Sequence, residues 1–212
     1  KLPYDPIGGF VPVAMVAEGP LLVAVPASMP IKSSAELLAA ARAKPGALNY
    51  GTAGVGSVAH LATELLNGAA KIQMTHVPYK GAANALLDLA AGQINLMISN
   101  YSSLVPQIKA GRLRALGVTS AQPSPAVPGA VPLNKFVPGF VQDINFALWA
   151  PPGTPADVAA KLTETVRKGL SAPGMAEKFV AFSVPLAVAG PDEVTRITTR
   201  ESNNIKKIME TV

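Results

Sequence analysis

The sequence contains no cysteine, and it has few aromatic residues (5%) and few charged residues (15%). The lack of cysteine excludes disulfides, thiolate metal sites and cysteine nucleophiles, although it does not assign a cellular compartment. No apolar run approaches the roughly 20 residues of a membrane-spanning helix. The most apolar stretch, residues 20–30, is interrupted by prolines. Since 49% of the residues are hydrophobic, we expect a well-folded globular protein.

The net charge of +5 is spread along the chain rather than concentrated in one segment. No run of basic residues alternates with aromatic residues, so the pattern typical of a nucleic-acid groove is absent. A modest positive charge still favours the capture of small anions through long-range attraction. We therefore expect no nucleic acid among the partners.

Strand-like and helix-like segments alternate along the chain, which is typical of an α/β fold with a mostly parallel sheet. Residues 57–67 predict a helix that ends at Gly68, and residues 154–170 predict a helix capped by Thr154. A proline-rich crossing over 121–140 is too irregular for a helix or a central strand. We expect residues 22–144 to form one domain, and residues 1–21 and 145–212 to belong to another, to which the chain returns.

The most informative segment is YGTAGVGSVAHLA, from Tyr50 to Ala62. A short strand leads into three glycines within six residues and then into a helix, with Ser57 at the junction. The backbone N–H groups of such a turn, together with the positive end of the helix dipole, bind a carboxylate or a phosphate. The loop therefore predicts an anion site without specifying the anion.

Parts of the loop also match other motifs. Gly54–Ala59 fits the dinucleotide fingerprint, but the segment about 20 residues later, MTHVPYKGA, contains no acid, and the next acid after it is Asp88, inside the following helix. The phosphate loop of a nucleotide hydrolase needs a lysine directly before Ser57, and none is there. Ser57 and His60 lie one turn apart, but the elbow of a serine nucleophile is absent. With only two histidines, His60 and His76, and no carboxylate pair, the sequence indicates no catalytic residue, metal site or cofactor.

Five stretches, the second of which contains the glycine loop, occur together and in the same order in one known family: LPYDPIGGFVPVAMVA, LLVAVPASMPIKSSAELLAAARAKPGALNYGTAGVGSVAHLATELL, HVPYKGAANALLDLAAGQINLMISN, IKAGRLRALGVTS and ALWAPPGTPADVAAKL. They extend over essentially all 212 residues. The chain thus resembles the substrate-binding receptors of tripartite tricarboxylate transporters, the Bug-type periplasmic solute receptors.

The resemblance implies a periplasmic-binding-protein-like fold, with two α/β domains around a ligand cleft and mostly parallel sheets. It implies that the glycine loop and the following helix start bind a ligand carboxylate, with His60 bracing the loop. It also implies that the loop after strand 94–99 and the crossing strand around Phe146 line the cleft. The ligand-binding residues expected on this basis are Thr52, Ala53, Gly54, Val55, Gly56, Ser57, His60, Ser99, Asn100 and Phe146.

Two departures from the family pattern bear on these expectations. Asn95 and Ser99 stand where the family often carries aspartate, which leaves the usual ligand contacts of the Ser99 loop open. Family members also begin well before the point that corresponds to Lys1, so domain one is expected to be incomplete and to lack its own ligand loop. An incomplete α/β domain exposes apolar edges, so we expect a second chain, a homo-oligomer or a swapped dimer to cover them, or partial disorder.

The expected function is that of a periplasmic receptor that delivers a small carboxylate to membrane transporter subunits without chemistry on the ligand. The ligand class includes di- and tricarboxylates, amino acids and aromatic acids. Two alternatives stay open: a ligand-sensing effector domain of a regulator, for which no DNA-binding helix pair is apparent, and a dinucleotide-binding oxidoreductase, which nicotinamide binding would support.

Overall fold

A computed structural model describes residue 5 and residues 8–124, 127–181 and 184–209. The chain divides into two compact units, which are described separately. The first unit consists of Lys1–Gly19 and Asn145–Val212, and the second consists of Pro20–Ile144. Within the described ranges, no helix combines the length and the apolar character that crossing a membrane requires.

Strands and helices alternate along the described part of the chain. The strands are β1 (Val11–Pro26), β2 (Asn49–Thr52), β3 (Thr75–Pro78), β4 (Met97–Asn100), β5 (Leu113–Val118), β6 (Val131–Pro132), β7 (Asp143–Ala150) and β8 (Leu186–Ala189). The α-helices are α1 (Ser34–Ala43), α2 (Val58–Ala70), α3 (Ala82–Ala90), α4 (Tyr101–Lys109), α5 (Ala156–Leu170), α6 (Met175–Ala181) and α7 (Pro191–Met209). A 3-10 turn covers Leu133–Lys135.

The strands of the second unit follow the order β3-β2-β4-β1-β5-β6. β2 and β3 pair in parallel, with Tyr50 opposite His76, and a parallel bridge from Tyr50 to Leu96 joins β2 to the start of β4. β1 lies between β4 and β5 and is antiparallel to both, whereas β5 and β6 are parallel. Five strands therefore point in one direction, and the carboxyl ends of β2, β3, β4 and β5 lie at one edge.

The expected α/β class is confirmed, and the expected parallel pairing holds for β2 to β6 but not for β1. β1 is antiparallel to its neighbours in the second unit and also to β8 in the first unit. A crossover helix returns the chain so that the next strand starts in the same direction. The connection from β1 through α1 to β2 departs from this pattern, because β1 runs opposite to β2 and to the strands on either side of it.

In the second unit, β1 is buried on both faces. Successive side chains of a strand point to opposite sides, so Val23 joins a cluster with Leu37 of α1. Leu22 joins a separate cluster with Leu89 of α3. Helices cover both faces of the sheet, and a strand in that position needs the continuous apolar run that β1 carries.

The first unit has a smaller buried core in its described residues. α7 packs on β1 through Val194 and Ile197, which cluster with Met15. α5 is joined to β1 by the Thr163 hydroxyl, which donates to the Val13 carbonyl at 2.8 Å. None of the residues of α5, all of which are described, is fully buried. The apolar side of α5, including Leu162, therefore remains partly open to solvent.

Two local expectations are wrong. α2 does not end at Gly68 but continues to Ala70, and Lys71 terminates it in a left-handed conformation (φ 52°). A glycine inside a helix costs only about 1 kcal/mol relative to alanine, and the buried Ala70 continues the packed face. Thr154 is not the N-cap of α5, because Pro155 occupies that position with an extended ψ of 145°. The Thr154 hydroxyl instead donates to the Pro151 carbonyl at 2.8 Å.

Candidate anion-binding site

The glycine loop, residues 53–57, joins β2 to α2 at the carboxyl edge of the sheet. Gly54 (φ 139°) and Gly56 (φ 79°) adopt backbone conformations that other residues rarely reach. A Cβ placed on Gly56 would meet no atom within 4 Å, and Val55 is 77% exposed. The loop therefore presents its backbone to open space.

Hydrogen bonds within the loop hold its shape. The Thr52 hydroxyl donates to the Gly54 carbonyl at 3.1 Å and accepts from the Gly54 N–H at 3.2 Å. The Gly56 N–H donates to Nδ1 of His60 at 3.2 Å. The Ser57 hydroxyl accepts from the His60 N–H at 3.3 Å and caps α2. Thr52–Ser57 and His60, all predicted site residues, thus form one connected turn and helix start.

A second loop, residues 79–81 between β3 and α3, is bonded directly to the glycine loop. The Tyr79 N–H donates to the Thr52 carbonyl and the Gly81 N–H donates to the Ala53 carbonyl, each at 3.1 Å. The Tyr79 hydroxyl donates to the Asp88 carboxylate at 2.7 Å. These bonds connect the loop that carries Tyr79 and Lys80 to the glycine loop and help to hold its position.

The other predicted site residues lie in two places. Ser99, which is 5% exposed, and Asn100 end β4 at the same edge of the sheet as the glycine loop. Asn100 precedes α4, and its side chain makes no capping hydrogen bond. Phe146 lies on β7 in the first unit and is 37% exposed.

Asn95 has a role away from the glycine loop. Its side-chain oxygen accepts a hydrogen bond at 2.7 Å from the N–H of Asn49, the first residue of β2. The Asn95 N–H in turn donates to the Asn49 carbonyl at 2.9 Å. Asn95 therefore joins β2 to the start of β4 at the amino edge, opposite to the end at which Ser99 lies.

The helices that begin at the carboxyl edge differ from the other described helices in the charge of their first turns. α2, α3 and α4 begin at the carboxyl edge, and none of these described helices carries an acidic residue in its first turn. The four other helices do, namely at Glu36, Asp157, Glu177, Asp192 and Glu193. An acid at that position is worth about 0.3–1 kcal/mol because it offsets the helix dipole. Its absence leaves the positive potential of three neighbouring helix starts uncompensated.

Three aromatic rings lie behind the glycine loop, and sequence reasoning did not associate them. Tyr50 from β2, His76 from β3 and His60 from α2 stack on one another. The Tyr50 hydroxyl donates to the Glu64 carboxylate, and burial followed by this interaction raises the pKa of Tyr50 far above its usual range. Because the parallel register places Tyr50 opposite His76, only the paired strands bring these residues together.

Comparison with known proteins covers the whole chain. Residues 1–212 match the model of the tripartite tricarboxylate transporter family receptor. The UPF0065 protein in the tcbD-tcbE intergenic region of Pseudomonas sp. strain P51 is 34% identical over 211 residues. That alignment covers 99% of this chain but 63% of the relative, so this chain spans less than two thirds of the relative's length.

Several solved structures share the fold. An R. palustris protein solved with adipate has a TM-score of 0.89 and 34% identity, and the match covers 100% of this chain and 71% of that one. MatC from Rhodopseudomonas palustris, with bound malate, has a TM-score of 0.86, 27% identity and coverages of 98% and 72%. The periplasmic binding protein BugD has a TM-score of 0.82, 26% identity and coverages of 98% and 70%. The expected periplasmic-binding-protein fold is therefore confirmed.

Proposed function

Because this chain belongs to the tripartite tricarboxylate transporter family of receptors, we propose that it binds a small dicarboxylate and presents it to the membrane subunits of such a transporter. The observation that carries the proposal is the group of three helix starts, α2, α3 and α4, which share one sheet edge and carry no acid in these described first turns. Backbone N–H groups and helix dipoles at such a position favour a carboxylate.

The site we propose lies in the second unit and consists of Thr52, Ala53, Gly54, Val55, Gly56, Ser57, His60, Ser99 and Asn100. The glycine loop supplies backbone donors, because its glycines leave the main chain accessible. Thr52 and His60 act on the shape of this loop through their hydrogen bonds. A charge-assisted hydrogen bond to a carboxylate contributes about 1.5–3 kcal/mol, so a few such donors suffice for measurable binding.

The ligand class follows from relatives of the same fold. One was solved with adipate and another with bound malate, so both are dicarboxylate complexes. We propose the periplasm as the location, since the matched BugD is a periplasmic binding protein. Transfer of the ligand to membrane subunits follows from the family to which the chain belongs.

The proposal is tested by titrating the 212-residue chain with adipate, malate, succinate and citrate. Calorimetry gives the affinity, and backbone amide NMR shows which residues respond. We expect at least one dicarboxylate to shift the Gly54, Gly56 and Ser57 amides. Shifts confined to other parts of the chain would overturn the site assignment, and no response to any of these carboxylates would overturn the ligand class.

Gly56→Val provides a sharper test of the loop. The branched side chain would project into the open space beside Gly56, so we expect dicarboxylate binding to be abolished. A side chain at positive φ also introduces backbone strain of about 1–3 kcal/mol. Gly92→Val is the matched control, because Gly92 has a φ of 75° and an equally open Cβ position but follows α3 at the opposite end. Equal loss of affinity in both variants would contradict the proposal.

Ser57→Ala tests the helix start. Loss of an N-cap costs about 0.5–2 kcal/mol of stability, and we expect binding to weaken as well. Ser33→Ala removes the equivalent cap of α1, where the Ser33 hydroxyl accepts from the Glu36 N–H at 3.2 Å. We expect Ser33→Ala to lower stability similarly without changing affinity, which separates a local effect from a general one.

A further inference from the structure

The two histidines of the second unit are in direct contact behind the glycine loop. The rings of His60 and His76 are 4.0 Å apart with an angle of 27° between their planes. The Tyr50 ring lies 4.9 Å from that of His76, on which it also stacks. The three residues come from three different elements, α2, β3 and β2, so the packing of the unit sets this arrangement.

Each histidine bonds to a different end of the glycine loop. Nε2 of His76 lies 2.7 Å from the Thr52 hydroxyl, which donates to the Gly54 carbonyl. Nδ1 of His60 accepts from the Gly56 N–H at 3.2 Å. The pair therefore holds Thr52, the residue directly before the loop, and Gly56, the last glycine of the loop.

The bond from Gly56 depends on the protonation state of His60. A ring nitrogen accepts a hydrogen bond only when it carries no proton, so this contact requires the neutral ring with its proton on Nε2. A second proton, taken up from solvent, would bind Nδ1. The new Nδ1–H group would then point at the Gly56 N–H, so two donors would face each other. That bond would then be lost, and the N–H would become available to another acceptor.

The surroundings disfavour a charge on His76. Burial lowers its pKa, the charge of His60 lowers it further, and Glu64 acts in the opposite direction. Among the described residues, Glu64 on α2 and Tyr50 on β2 are titratable groups that lie beside the pair, and the Tyr50 hydroxyl donates to the Glu64 carboxylate. Tyr79 and Asp88 lie on the other face of β2, because Tyr79 packs beside Gly51 while Tyr50 points the opposite way.

We propose that His60 and His76 act as one proton-coupled positioning pair, in which a single proton on Nδ1 of His60 releases the Gly56 N–H for an anionic ligand. His76, whose charged form is disfavoured by burial, keeps Thr52 in place while the Gly56 N–H becomes available. The released N–H and the new positive charge both favour an anion, so affinity rises as the pH falls. The ligand part of this inference rests on the proposed function, whereas the coupling between His60 and Gly56 does not.

Ligand-free NMR tests the coupling. In ¹⁵N-labelled wild-type protein titrated from pH 8 to 5, the Gly56 amide should shift with the same midpoint as the His60 ring nitrogens. The His76 ring should take up a proton only at a lower pH than a solvated histidine does, because burial lowers its pKa. A Gly56 amide that does not respond while the His60 ring takes up its proton would overturn the inference. Because no ligand is added, this result is independent of whether the protein binds carboxylates.

Calorimetry with adipate tests the consequence for binding. As the pH falls and His60 takes up its proton, adipate affinity should rise about 2- to 12-fold in all, which corresponds to one hydrogen bond of about 0.5–1.5 kcal/mol. His60→Gln should remove this pH dependence, and any slope that remains in the variant measures the protonation of adipate itself. The same slope in wild type and in His60→Gln would overturn the inference. If adipate does not bind while Gly56 still titrates with His60, the proposed ligand fails and the coupling stands.

Discussion

The hydroxyl of Thr119 makes two hydrogen bonds with the main chain of Leu21. It accepts from the Leu21 N–H at 2.8 Å and donates to the Leu21 carbonyl at 3.2 Å. The Thr119 N–H donates to the same carbonyl at 3.0 Å. Both residues are buried. The Thr119 side chain extends the hydrogen bonding between β1 and β5 by one residue beyond the last strand pair, Leu22 with Val118.

Thr119→Val should destabilise the protein by about 1–3 kcal/mol, because it keeps the shape of the side chain but leaves the buried Leu21 N–H without its acceptor. Urea unfolding followed by circular dichroism measures the change. Thr119→Ser is the control, since it keeps the hydroxyl and loses only a methyl group. A loss in the serine variant as large as that in the valine variant would show that packing, not the hydrogen bond, matters here.

Arg114→Lys should also lower stability, by about 1–3 kcal/mol. The Arg114 guanidinium donates to the carbonyls of Met29 and Ile31 at 3.0 Å and to that of Ala27 at 2.9 Å. A lysine ammonium lacks the planar fork that reaches three carbonyls at once. The exposed neighbour Arg112 offers a control, and Arg112→Lys should change the unfolding free energy by no more than about 0.5 kcal/mol. Similar effects of the two variants would count against this role of Arg114.

Gly51→Ala should cost about 1–3 kcal/mol through overpacking. A Cβ on Gly51 would overlap the δ-methyl group of Ile94 and lie 3.3 Å from both Ala85 Cβ and the Tyr79 ring. Ile94→Val removes that methyl group, so the double variant should be more stable than the sum of the single losses predicts. Additive losses in thermal unfolding would contradict the proposed clash.

The pH dependence of stability at alkaline pH should include a contribution from Tyr79. Burial, followed by the hydrogen bond and charge of Asp88, raises the pKa of Tyr79 from 10.0 to about 12. Because the folded pKa exceeds the unfolded one, this contribution is complete below about pH 10 and disappears as the pH rises through about 12. The ¹³Cζ NMR signal of Tyr79 should titrate near pH 12, and Asp88→Asn should lower that midpoint. A midpoint near 10 in the wild type would disprove the effect.

Local signals in the sequence were sufficient for several elements. Ser33 caps α1 through the Glu36 N–H, and Ser57 caps α2 through the His60 N–H. Both bonds connect residues three apart, so they form from the local chain alone. The end of α2 was misplaced because Gly68, a usual stop signal, is overridden when the following turn continues to pack. The short helix α6 carried no clear signal and was not anticipated.

The sequence by itself determined the receptor family, through stretches that follow one another in the family's order along the whole chain. It also determined the glycine loop and the capped start of α2, because these depend on residue order over short distances. Only the tertiary structure decided the partners of that loop. His76 reaches Thr52 and stacks on His60 because β3 pairs with β2 in one particular register. Likewise, Tyr79 and Gly81 bond to the glycine loop through that same pairing. Strand register follows from the packing of both sheet faces at once, and no local pattern of residues encodes it.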